Sequence, residues 1–164
     1  MQIRELLLPE FDLELSKTRK TLERVPEDKP DFKPHEKSMP MARLAGHLAQ
    51  LPAFGTMIVT KPELDFSTAG MRPLIMESRQ QLLNAFDENV REAKANLASV
   101  SDEELQQPWK LSSGGNVILQ GTRYQMLRGL LLNHIIHHRA QLGVYLRLNG
   151  VAVPSIYGPS ADEM

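Results

Sequence analysis

The chain has 164 residues, with 19 basic against 20 acidic for a formal charge of −1, and no cysteine. That length suits one domain able to hide about two-thirds of the surface its unfolded chain exposes, and so balanced a charge supplies no attraction for nucleic acid or an anionic membrane. Without cysteine there can be no disulfide, no thiolate metal site and no protein-borne sulfur nucleophile, so any metal must sit on nitrogen and oxygen.

The N-terminal stretch MQIRELLLPEFDLELSKTRK holds an apolar run of only three leucines between charges. This is too short for a signal segment or a spanning helix, which leads to the expectation of a cytoplasmic protein made of a single domain, residues 1–164. Pro9 can occupy the opening turn of a first helix, whose inward face is Phe11, Leu15, Thr18, Leu22 and Val25 at spacings of four and three. The polar segment PEDKPDFKPHEKSMP ends it and leaves His35 in a solvated loop.

A second helix is expected from about Ser38, a candidate N-cap, with the seam Leu44, His47, Leu51, Phe54 and Ile58. Pro52 falls inside this pattern and predicts a kink. The connection KPELDFSTAGMRP is longer than helix–helix loops usually are, so it is expected to cross the end or side of the helices. A third helix, from about Pro73 to Ser99, carries Leu83, Phe86, Val90, Ala93 and Leu97 inward.

SDEE (101–104) has capping-box form and predicts a short helical turn. The segment QQPWKLSSGGNVILQG then reads as irregular or weakly extended around Gly114 and Gly115, with room for a small hairpin. A second capping box, Thr122 with Gln125, opens a final helix of about 27 residues, and Asn149-Gly150 closes it. The tail VAVPSIYGPSADEM is expected to lack regular structure, with Ile156 and Tyr157 able to pack back.

The final helix raises the chemical question, because LLNHIIHHRAQLGVYLRL (131–148) is strongly apolar yet carries three of the five histidines. Steps of three and four place Tyr124, Leu127, Leu131, His134, His138, Gln141, Tyr145 and Leu148 on one stripe. The four-residue spacing stacks His134 and His138 one turn apart, close enough for both to reach one ion at about 2.0–2.1 Å. His47 interrupts another apolar seam in the same way. One metal bound by three imidazoles removes three desolvation problems together, each spare ring N–H going to an outer acceptor. The alternative is three separate core histidines, each bonded to a carbonyl or to a tyrosine such as Tyr145. His137 lies on the shoulder of the stripe and suits a structural or outer role. Gln141, one turn beyond His138, can orient a ligand or a water, and Arg139 is expected to face away, toward surface or subunit contacts.

These stretches carry a resemblance. TRKTLERVPEDKPDFKPHEKSM, RLAGHLAQLP and NHIIHHRAQLGVYLRLNGVAVPSIYGPSADE together resemble the DinB family (DinB/YfiT-like metalloenzymes) over nearly the whole length. The most specific part is a His-x-x-x-His-Arg-Gly-Gln-type motif, read here as HIIHHRAQ with Ala140 where glycine is usual. The resemblance implies an all-α four-helix bundle of up-down-down-up type with long crossover loops, often a homodimer. It also implies one divalent metal ion, zinc or nickel, on His47, His134 and His138. The activity it implies is transfer of a small bacterial thiol, such as bacillithiol or mycothiol, to a small-molecule electrophile, or a related thiol-dependent isomerisation.

Three protein ligands would leave an open coordination position, the catalytic rather than the structural pattern for zinc. A coordinated thiol loses its proton, which makes thiol transfer the first functional expectation. Hydrolysis by a metal-activated water is the alternative, disfavoured because no Asp or Glu falls on the seams beside the ligands as a general base. A non-catalytic metal- or ligand-binding bundle is the other alternative. Trp109 and Tyr145 are candidates for pocket walls, and the acid–base residues are not assignable from sequence.

Overall fold

The computed structural model describes residues 1–163. Helix α1 (Ile3–Leu22) begins earlier than Pro9 predicts: Gln2 and Glu5 form the capping box, and Pro9 lies inside the helix, where it removes one ladder hydrogen bond. Phe11, Leu15, Thr18, Leu22 and Val25 are all buried, as their spacing requires.

The second seam is broken at Pro52 into α2 (Met41–Gln50) and α3 (Ala53–Thr60), and the N-cap is Pro40 rather than Ser38. At the break, Asn89 Nδ2 donates to Ala49 O at 2.9 Å. Helix α4 (Arg79–Ser99) is capped by Ser78, whose side chain accepts from the Gln81 N–H, so residues 73–77 are not helical. They run instead along α2, where Gln50 grips them twice: its Nε2 donates to Arg72 O and its Oε1 accepts from Leu74 N, both at 2.8 Å. Gly46 makes this approach possible, since a Cβ there would stand 2.0 Å from Leu74 O.

The SDEE box opens α5 (Asp102–Gln106) as expected. The next segment overturns the all-α expectation. Strands β1 (Leu64–Asp65), β2 (Pro108–Ser113) and β3 (Asn116–Thr122) form a three-stranded mixed sheet in that order, β1 parallel to β2 and β2 antiparallel to β3. The molecule is therefore mixed α/β, and the purely all-α four-helix bundle of up-down-down-up type does not describe it. Gly114 (φ +57°) and Gly115 (φ +84°) make the tight turn that joins β2 to β3. One face of β2 buries Trp109 and Leu111, whereas β3 is exposed through most of its length, with no alternation for a sequence pattern to reveal.

The sheet docks through polar groups. Trp109 Nε1 donates to Lys61 O at 3.1 Å, and Arg123 reaches the carbonyls of Ile58, Val59 and Lys61, so the end of α3 is satisfied from the far side of the hairpin. Trp109 is thus a packing anchor, fully buried, and Tyr145 is another: its hydroxyl donates to Met39 O at 2.9 Å.

The Thr122–Gln125 box opens α6 (Arg123–Met126), which continues through a π-helical segment, Leu127–Asn133, into α7 (His134–Leu148). Gly150 (φ +70°) ends the run. Helix α1 packs on α4 and α7, and α2 packs on the same two, so all four enclose one core. No described helix is long and apolar enough to cross a membrane.

Candidate metal centre

Two elements supply the three histidines. His47 projects from α2, flanked by buried Leu44 and Leu48, while His134 and His138 lie one turn apart at the start of α7. Their donor nitrogens come together within 4.8 Å of one another, although 87 residues separate His47 from His134. His47 Nε2 stands 3.4 Å from His134 Nε2, and His138 Nε2 stands 2.9 Å from the same atom. Nitrogen ligands at about 2.0–2.1 Å from one ion, with angles of about 90–109° there, are roughly 2.9–3.4 Å apart, and both of these separations fall in that range.

The outer contacts set which nitrogen faces inward. His138 Nδ1 lies 2.7 Å from Gln141 Oε1, a pure acceptor, which therefore holds the ring proton on Nδ1 and leaves Nε2 free. His134 Nδ1 lies 3.3 Å from Leu130 O. Here the π-helical segment matters. The His134 backbone N–H goes to Leu131 O, so the Leu130 carbonyl is not taken by that N–H and can accept from the imidazole. A π-helical insertion inside an α-helix is frequently a mark of a functional site.

Electrostatics keep these rings neutral. Burial, then the neighbouring His138, His134 and Arg43, push His47 down to about 4. Burial also lowers His134 and His138, opposed in part by the Leu130 carbonyl and by Gln141 respectively. Neutral imidazole is the ligating form, and the cluster contains no carboxylate. Hard oxygen-seeking cations such as Ca²⁺ or Mg²⁺ are poorly matched, whereas an all-imidazole set suits a borderline transition metal.

The remaining sequence candidates divide. His137 is exposed and outside the cluster, its ring 4.8 Å from that of His138. His35 is exposed in its loop, 31 to 40. Among the described residues the Tyr145 hydroxyl goes to Met39 O and to no histidine, so Tyr145 is not the partner that the core-histidine alternative named. Arg139 corrects the expectation outright: it is buried at 3% exposure, its guanidinium 2.6 Å from Glu14 Oε2 and from the Tyr157 hydroxyl. Helical spacing could not place it, because its partner is 125 residues away. Beside the histidines an open cleft of about 350 Å³ is lined by Leu119, Gly129, Leu130, Asn133, His134 and His137.

Comparison with known proteins agrees with this architecture. The chain aligns structurally with DinB-like proteins from Bacillus cereus ATCC 10987 (TM-score 0.70, covering 95% of this chain and 98% of that one) and from Bacillus subtilis (0.70, 93% and 99%). A third, from Exiguobacterium sibiricum 255-15, gives a TM-score of 0.64 with 94% and 97% covered. All three are 20% identical in sequence, a likeness of fold. In sequence, the chain is 30% identical over 102 residues to the uncharacterized protein YrdA of Bacillus subtilis, a match spanning 62% of this chain and 54% of that relative's length. The model of the DinB family matches residues 1–164, and on that full-length match the chain belongs to the DinB family.

Proposed function

We propose that His47, His134 and His138 hold a divalent metal ion, zinc or nickel, and that the protein transfers a low-molecular-weight thiol to a small electrophilic molecule. The observation that carries this reading is the convergence of three neutral imidazoles with no carboxylate or thiolate among them. Such an ion, when bound, supplies Lewis acidity that makes a coordinating thiol give up its proton.

The chain's own residues do the rest. Gln141 and the Leu130 carbonyl fix the tautomers of His138 and His134. The cleft at Leu119, Leu130 and Asn133 offers room for the electrophile beside His134. Since the protein has no cysteine, the sulfur nucleophile has to arrive with a second molecule. The all-histidine cluster lacks the carboxylate that a hydrolase would use as general base, which ranks hydrolysis below transfer.

The test is elemental analysis of protein purified without a histidine tag, followed by assay of zinc- and nickel-loaded protein with bacillithiol, mycothiol and a generic chlorinated electrophile. One equivalent of metal and conjugation above the uncatalysed rate, both lost in His134→Ala, are expected. Metal uptake with hydrolysis of esters in the absence of thiol would reverse the ranking.

A further inference from the structure

Arg43 lies four residues before His47 on α2, so the two share a face of that helix one turn apart. His47 meets His134 and His138, so this face of α2 is the one turned to α7, and Arg43 stands one turn back along it.

The Arg43 Nη1 atom is buried and has no hydrogen-bond partner among the described residues, and no described carboxylate forms an ion pair with this guanidinium. The residue as a whole is only half-buried, so one end of the fork is covered while the group is not sealed in. A buried unpaired N–H on a charged group is costly, and such a cost is tolerated where a ligand relieves it. A dication on three neutral histidines beside an unpaired guanidinium is a site of surplus positive charge, with no acidic group in the cluster to balance it.

We propose that Arg43 recognises the carboxylate of the small molecule that enters the three-histidine site. The planar fork matches a carboxylate in two parallel hydrogen bonds, which a point-charge ammonium does not. Combined with the proposed thiol transfer, on which the substrate assignment rests, the preferred sulfur donor is a thiol acid, a compact molecule carrying both a sulfhydryl and a carboxylate. The inference concerns binding and involves no covalent step.

The experiment uses the cobalt(II)-loaded protein, titrated with mercaptosuccinate and with 2-mercaptoethanol, following the thiolate-to-metal absorption. Wild-type protein should bind mercaptosuccinate at least about tenfold more tightly than 2-mercaptoethanol, the worth of one charge-assisted hydrogen bond. In Arg43→Gln that preference should fall to about twofold or less, with metal content by elemental analysis at the wild-type level, and Arg43→Lys should restore only part of it. Equal affinities in the wild type, or a preference that survives Arg43→Gln, overturns the inference. Should no thiol register on the metal, the transferase reading fails by itself, and succinate decides the Arg43 assignment. A shift of the Arg43 Nε–H resonance on adding succinate supports it, and no shift overturns it.

Discussion

Glu14 and Arg139 form an ion pair of 2.6 Å between α1 and α7 in which both side chains are almost wholly shielded from water. Arg139 Nη1 also donates to Glu14 O at 2.9 Å, and the Tyr157 hydroxyl donates to Glu14 Oε2 at 2.7 Å. The pair is thus satisfied on several sides, and it ties the first helix, the tail and the residue next to His138 into one unit. Removing one partner leaves the other buried and uncompensated, at a cost of about 3–5 kcal/mol. Arg139→Met alone should lower the unfolding free energy read from urea titration by that order. Glu14→Leu with Arg139→Met should recover most of the loss, because the orphan charge is gone. A single variant as stable as wild type would show that water reaches the pair.

Gln141 acts on the site through His138. Its carbonyl oxygen is the acceptor that holds the proton on Nδ1, and outer contacts of this kind change metal affinity by about 10–100-fold. Gln141→Leu should weaken zinc binding by that factor in competition with a chelator, whereas Gln141→Glu should retain or strengthen it. If Leu at this position binds zinc as tightly as Gln, the contact does not orient the ring.

Acid should destabilise the metal-free protein earlier than its carboxylates alone require. In the unfolded chain an imidazole takes up its proton near its ordinary value of about 6.5. Folded His47 does so only at about 4, and His134 and His138 are lowered as well. Between those limits the unfolded state binds more protons, so stability is present above about pH 6.5 and is lost as pH falls toward about 4. Urea titrations of chelator-treated protein should show this slope, and His47→Gln should flatten it. An unchanged slope in that variant would falsify the assignment.

Gly46 is the neighbour of His47 and the place where the 71–77 segment presses on α2. Alanine there would need Leu74 O to move from 2.0 Å to ordinary contact, so the segment held by Gln50 must shift. Gly46→Ala should cost about 1–3 kcal/mol, the usual range for overpacking, although alanine is the better helix former. Differential scanning calorimetry measures it, and a variant melting at or above the wild-type temperature contradicts the close approach.

Much of this molecule is written locally. The capping boxes at Ser101 and Thr122, the break at Pro52, the buried stripe of α1 and the stacking of His134 on His138 each depend on residues within about four positions, and sequence alone determines them. The meeting of His47 with that pair is suggested by its apolar setting but depends on the chain folding back over a sequence separation of 87. The glycine turn at Gly114 and Gly115 makes the β2–β3 hairpin legible, but the sheet's extent is not: β1 has two residues and β3 buries no regular face, so neither carries a period to read. The burial of Arg139 is not legible in the sequence, because a charged residue on an apolar helix is normally solvated and only the arrival of Glu14 from α1 compensates it. Sequence therefore decided which segments are helices and which side chains have ligating chemistry, since hydrogen bonding and side-chain periodicity along a helix are short-range. Tertiary structure decided which of those side chains meet, which charge is buried and which stays unpaired, since those depend on contacts between segments distant in the chain.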